Sequence, residues 1–69
     1  MVEVFKTNVA EEVEAKFLLN LLNIDFPCYK INFDLSDCDK ILRVEGENMV
    51  LDKIIDVLNR NNYVCIILD

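Results

Sequence analysis

The stretch Tyr29-Lys30-Ile31-Asn32-Phe33-Asp34-Leu35-Ser36-Asp37-Cys38-Asp39-Lys40-Ile41-Leu42-Arg43-Val44-Glu45 decides the fold. Tyr29, Ile31, Phe33 and Leu35 recur at period two with Lys30, Asn32 and Asp34 between them, the pattern of a strand with one buried face. Ser36 to Asp39 supplies turn chemistry, and Lys40 to Glu45 returns as a second strand, so the run predicts a hairpin that Gly46 ends.

On the N-terminal side of the hairpin, Pro27 stops whatever precedes it and biases Phe26 to extended geometry. Before it, Val13, Phe17, Leu18, Leu21 and Leu22 fall on one helix face, with Glu12, Lys16 and Asn23 largely elsewhere. Asn8-Val9-Ala10-Glu11 suits the start of that helix, with Asn8 as N-cap and Glu11 reaching back to the Asn8 amide. Val2 to Thr7 reads as a first strand. On the C-terminal side, Asn48 can cap a second helix with Leu51, Ile54, Ile55 and Leu58 inward and Asp52, Lys53, Asp56 and Asn59 outward. Asn61-Asn62 closes it, Asn being tolerant of positive φ, and Tyr63 to Leu68 forms a last strand. The order is βαββαβ. Two right-handed crossovers and one hairpin predict an α+β, ferredoxin-like sandwich over residues 1–69 as a single domain, with a four-stranded antiparallel sheet carrying both helices on one face. The first strand then lies between the hairpin and the last strand, and Asn8 to Glu14, Cys38 and Cys65 gather near one rim.

Composition narrows the function. The chain has 69 residues and a net charge of -6, with no His and no Trp, so the basic surface that neutralises phosphates is missing and nucleic acid is not an expected partner. Imidazole catalysis and imidazole metal ligation are excluded. With one Gly there is no phosphate-cradling loop, and no nucleophile and base pair stands out, so an enzyme is not expected. The longest uncharged stretch, Phe17 to Ile24, is far short of the roughly twenty apolar residues of a membrane span. The N-terminal sequence has an early acid and no basic segment before an apolar run, which argues against a signal peptide. The three cysteines, Cys28, Cys38 and Cys65, are odd in number and widely spaced, and this usage predicts reduced thiols in the cytoplasm.

In element order, length, the Phe5-Lys6-Thr7-Asn8-Val9 strand exit, the Ile31-Asn32-Phe33-Asp34 and Ile41-Leu42-Arg43-Val44-Glu45 strands and the Asn61-Asn62-Tyr63 approach to the last strand, the chain resembles heavy-metal-associated domains, the modules of copper chaperones and transport ATPases. The run Asp37 to Glu45 is similar to a small stand-alone bacterial subgroup of them. The resemblance implies the fold. It does not carry over the activity, which resides in a Met-x-Cys-x-x-Cys loop whose positions match Val9, Glu11 and Glu14 here. Carboxylates are hard ligands and make no soft-metal site on a helix turn, so no cofactor is expected there. A Gly that the family places before the loop is absent, and Asn62 stands where a Gly often precedes the Tyr.

Each candidate also has a plain structural role. Glu11 and Glu14 fit helix capping and a solvated first turn. Cys38 and Cys65 are alternative metal or redox ligands, although a bridge needs Cα atoms within about 7 Å and the first strand separates them. Asp37 and Asp39 beside Cys38 argue against a reactive thiolate, and Cys28 suits packing at a strand start. Tyr29 and Tyr63 suit packing with a wet hydroxyl. One feature exceeds what a single helix-covered face requires: the first and last strands are apolar at both parities. An open sheet face presenting Phe5, Ile41, Cys65 and Ile67 is expected as an interaction surface for a protein partner or a second copy, unless Lys6 and Arg43 shield it. A non-enzymatic interaction module is the favoured expectation. A metal carrier with a non-standard site and a small-ligand regulatory domain, the latter lacking its Gly loop, are the alternatives.

Overall fold

The computed structural model describes residues 1–68. Its elements run β1 (Val2–Thr7), α1 (Glu12–Asp25), β2 (Lys30–Asp34), β3 (Ile41–Glu45), α2 (Leu51–Arg60) and β4 (Cys65–Ile67). The four strands form one antiparallel sheet in the order β2-β3-β1-β4, a ferredoxin-like arrangement with β1 between the hairpin and the last strand. Among the described residues no helix is long and apolar enough to cross a membrane.

The core lies between the sheet and the helices. Phe5, Ile31, Leu42, Val44 and Cys65 from the strands meet Ala15, Leu18 and Leu22 of α1 and Ile54, Val57 and Leu58 of α2. The hairpin follows the period-two reading: Ile31 is buried, and Tyr29, Phe33 and Leu35 pack partly buried beside it. Its turn is held by Asp34, whose Oδ1 accepts from the Ser36 amide, and by Asp37, whose Oδ1 accepts from the Asp39 amide. After α2, Asn62 adopts φ 69°, the Tyr63 amide donates to Leu58 O and the Asn62 amide to Asn59 O, which is a Schellman ending with Asn in place of Gly.

The helix starts differ from expectation. α1 begins three residues later than the Asn8 cap predicts, with Glu11 as N-cap and Glu14 Oε1 accepting from the Glu11 amide at 3.0 Å. Asn8 instead accepts from the Val64 amide through Oδ1 at 2.8 Å, tying the loop after β1 to the approach of β4. α2 is capped by Val50 rather than Asn48, which sits at φ 54°. Tyr29 provides the polar contact there: its hydroxyl donates to Asn48 O and accepts from the Val50 amide at 3.2 Å. The Tyr29 ring stacks on Phe26 with centroids 5.3 Å apart and lies against Gly46, where an added Cβ would come within 2.7 Å of it. That close approach explains why the hairpin ends on Gly.

Candidate functional site

The rim after β1 is built around Thr7, which is buried yet fully bonded. Its amide donates to Asp39 O, its hydroxyl donates to Lys40 O, and its Oγ1 accepts from the buried Val9 amide at 3.2 Å. This clasp holds the β1–α1 loop against the hairpin turn. Val9 is part of the core.

Glu11 and Glu14 form a capping box at the start of α1. Glu14 is engaged on both oxygens: Oε1 on the Glu11 amide and Oε2 accepting from the Tyr63 hydroxyl at 2.7 Å. It is therefore not the solvated side chain that its position suggests, but a link between the start of α1 and the approach to β4. The Tyr63 hydroxyl, then the Glu11 amide, hold the Glu14 carboxyl below its ordinary value, and the same bond to Glu14 raises the Tyr63 phenol. A carboxyl lowered on folding stabilises above its unfolded value and loses that contribution as pH falls through the folded one. Tyr63→Phe is therefore expected to move the Glu14 midpoint upward in a carboxyl NMR titration and to lower thermal stability more at neutral pH than in acid, where the carboxyl is protonated. An unchanged midpoint would show the bond to be idle.

The cysteines separate. Cys65 is buried on the helix side opposite Thr7, and burial pushes its thiol up to about 12, so it offers no thiolate. Cys28 and Cys38 are exposed. Cys38 is exposed where Cys65 is buried, and the ligand atoms of Asp37, Cys38 and Asp39 all lie within 4.8 Å of one another. Asp39 also pairs with Lys6 at 3.8 Å. This mixture of one soft and two hard donors on an exposed turn matches no single ion well.

The sheet face is where expectation and structure differ most. Phe5 and Cys65 lie under the helices, not on the open face, and Ile67 pairs with Phe5 on that same helix side at the sheet edge. The reason is register: Phe5 pairs with the buried Leu42, while Val2 pairs with Glu45, Val4 with Arg43 and Lys6 with Ile41. Of the expected surface residues only Ile41 keeps its place. The open face instead carries Val2, Val4 and Lys6 of β1, Ile41, Arg43 and Glu45 of β3, Ile66 of β4 and Leu68 just beyond it. The β2 edge adds Lys30, Asn32 and Asp34. Alternation could not reveal the parity because both parities of β1 and β4 are apolar; the unambiguous polar side of β3, read through its pairing to β1, is the signal that finds it.

A groove of about 430 Å³ is open and lined by Asp25, Phe26, Lys53, Asp56, Val57 and Arg60, with Arg60 paired to Asp56 at 3.0 Å. Fold and surface together define a small ferredoxin-like sandwich whose distinguishing feature is an uncovered, partly apolar sheet face. The sequence matches no family model and no curated protein.

Proposed function

We propose that this chain is a non-enzymatic, cytoplasmic interaction module, related to heavy-metal-associated domains but lacking their thiol pair, that binds protein through the open face of its sheet. The observation that carries the reading is the apolar run Val2, Val4, Ile41, Ile66 and Leu68 on that face, with Ile66 55% and Leu68 38% exposed. Shielding by long cations does not remove it. Lys6 reaches Asp39 and Arg43 reaches Glu45 at 3.5 Å, so both heads are engaged within the hairpin half of the sheet and leave the β4 half bare.

The partner surface that fits is apolar. Lys6, Lys30 and Arg43 on this face are matched by Asp34, Glu45 and the Asp39 carboxylate that Lys6 reaches. Four strands of about five residues present roughly 320 Å² in projection, well under the ~800 Å² per partner of a standard interface, so binding is expected in the micromolar-to-millimolar range. An NMR dilution series tests this. Concentration-dependent shifts confined to open-face residues, abolished by Ile66→Asp, support the reading. A strict monomer whose Ile66→Asp variant is indistinguishable from wild type removes it.

A further inference from the structure

β2 has a neighbouring strand on one side only, and its outer edge is the longer of the two free edges of the sheet, five residues against the three of β4. Free edges are commonly blunted by a Pro, a bulge or brevity. β2 has none of these: it contains no Pro and pairs residue for residue with β3, from Lys30 opposite Glu45 to Asp34 opposite Ile41. The charges it carries, Lys30 and Asp34, are of opposite sign. Hydrogen-bond alternation fixes which backbone groups the edge offers. The Gly46 amide donates to Met1 O at 3.0 Å, so in β3 Leu42 and Val44 bond β1, whereas Ile41, Arg43 and Glu45 bond β2. Lys30, Asn32 and Asp34 sit opposite those three and bond β3. The N–H and C=O groups of Ile31 and Phe33 therefore point off the edge.

We infer that this edge pairs with the same edge of a second copy of the chain, antiparallel and centred on Asn32, to give a two-fold dimer with one continuous sheet. The strand is complementary to itself in that register. Lys30 lies opposite the second copy's Asp34, Asp34 opposite its Lys30, and Asn32 opposite its own counterpart. Ile31 and Phe33 sit opposite one another as the pairs that exchange both backbone hydrogen bonds. Charge selects both the occupant and the register. Lys30 and Asp34 are exposed, and among the described residues neither belongs to an ion pair. Within the chain Lys30 faces Glu45, which Arg43 holds at 3.5 Å, and Asp34 faces the uncharged Ile41. Asp34 Oδ1 accepts from the Ser36 amide and hydroxyl, which leaves it an anion without a cation. Sliding the copies by two residues sets Lys30 against Asn32 or Asn32 against Asp34, and both ion pairs are lost. On the helix side, Tyr29, Phe33 and Leu35 are only partly buried beside Ile31, and pairing lays the second copy's Ile31 against Phe33. The two-fold axis stands perpendicular to the sheet, so both helix layers lie on one side and the two open faces join into one. The contact runs along the edge, so it holds whether or not the open face binds protein.

Analytical ultracentrifugation of the full chain tests this with charge exchanges at the two exposed positions, circular dichroism establishing that each variant folds. Wild type and Ile66→Asp are both expected to dimerise as concentration rises. Lys30→Asp and Asp34→Lys are each expected to weaken the dimer about tenfold, because each sets like charges opposite one another at two places. The double variant Lys30→Asp/Asp34→Lys is expected to restore it, and an equimolar mixture of the two single variants is expected to form a heterodimer. Exchange of the Ile31 and Phe33 amides is expected to slow as the dimer forms. A dimer that both single variants leave intact, or one that the double variant fails to restore, overturns the edge pairing, as does a wild type that stays monomeric to millimolar concentration. If Ile66→Asp abolishes association and the charge variants do not, the copies meet through the open face: the edge pairing falls and the sheet-face reading stands.

Discussion

Phe5→Asp is expected to abolish folding, whereas Ile66→Asp, on the same sheet, is expected to leave the melting temperature within a few degrees of wild type. Phe5 is fully buried and its strand pairs on both sides, with Leu42 and Ile67 as its partners across β3 and β4. Truncating a buried Phe to Ala alone costs about 3–5 kcal/mol through lost transfer energy and the cavity left behind. A domain of 69 residues has on the order of 3–10 kcal/mol in total, and an unpaired carboxylate in the core adds a desolvation penalty that no neighbour offsets. Ile66 already meets water, and an exposed substitution away from caps and bonds changes stability by about 0.5 kcal/mol, or a few degrees at this size. Thermal unfolding by circular dichroism compares the two directly. A folded Phe5→Asp protein would place Phe5 on the open face after all and overturn the assignment of the two sides.

The second large effect is expected at Thr7. Thr7→Val keeps the shape but removes the hydroxyl that bonds Lys40 O and accepts from the Val9 amide, leaving a buried donor without a partner. Such a group costs about 1–3 kcal/mol, and Thr7→Ser, which retains the hydroxyl, is expected to lose less than Thr7→Val. Urea unfolding with an unchanged m-value gives the magnitude, and faster exchange of the Val9 amide locates it. Equal losses in the two variants would mean that the methyl group, and not the clasp, holds the rim together.

Both expectations depend on which side of the sheet a residue occupies, and this is where sequence and structure parted. The hairpin was legible because Lys30, Asn32 and Asp34 alternate cleanly with Ile31 and Phe33, and α2 because its charged side is unbroken. From these the βαββαβ order and the position of β1 in the sheet follow by handedness and connectivity. β1, β4 and α1 resist the same treatment, since alternation only reports parity when one side is polar. Val2 and Val4 outnumber Phe5 among the apolar residues of β1, yet the larger Phe5 goes inside together with Thr7, whose hydroxyl finds its partners there. In α1 the face through Val13, Phe17, Leu18, Leu21 and Leu22 straddles two real stripes, and the helix is turned so that Ala15, Leu18 and Leu22 face the sheet. The start of the helix fixes that rotation. Once Glu14 bonds the Glu11 amide and the Tyr63 hydroxyl, its neighbour Ala15 is directed inward and Val13 outward.

The candidate site was legible in part. The sequence attributes Glu11 and Glu14 to the start of a helix, and their geometry is that of a capping box. It gives no sign of the bond from Tyr63, because the partners lie far apart in the chain and an exposed Tyr beside a strand is ordinary. The apolar excess was visible as an excess, and its location needed the register.

The sheet order also bears on how the protein is made. β1 is synthesised before either of its neighbours, yet it lies between β3 and β4, and its pairing with β4 joins the two ends of the described chain. Helices and the β2–β3 hairpin can form from nearby residues, but the central strand must wait for the last one, and contacts this distant in sequence slow folding. Until then both apolar sides of β1 are uncovered in the nascent chain. The pairing of β1 with β4, the shortest strand, is therefore the contact that closes the sheet.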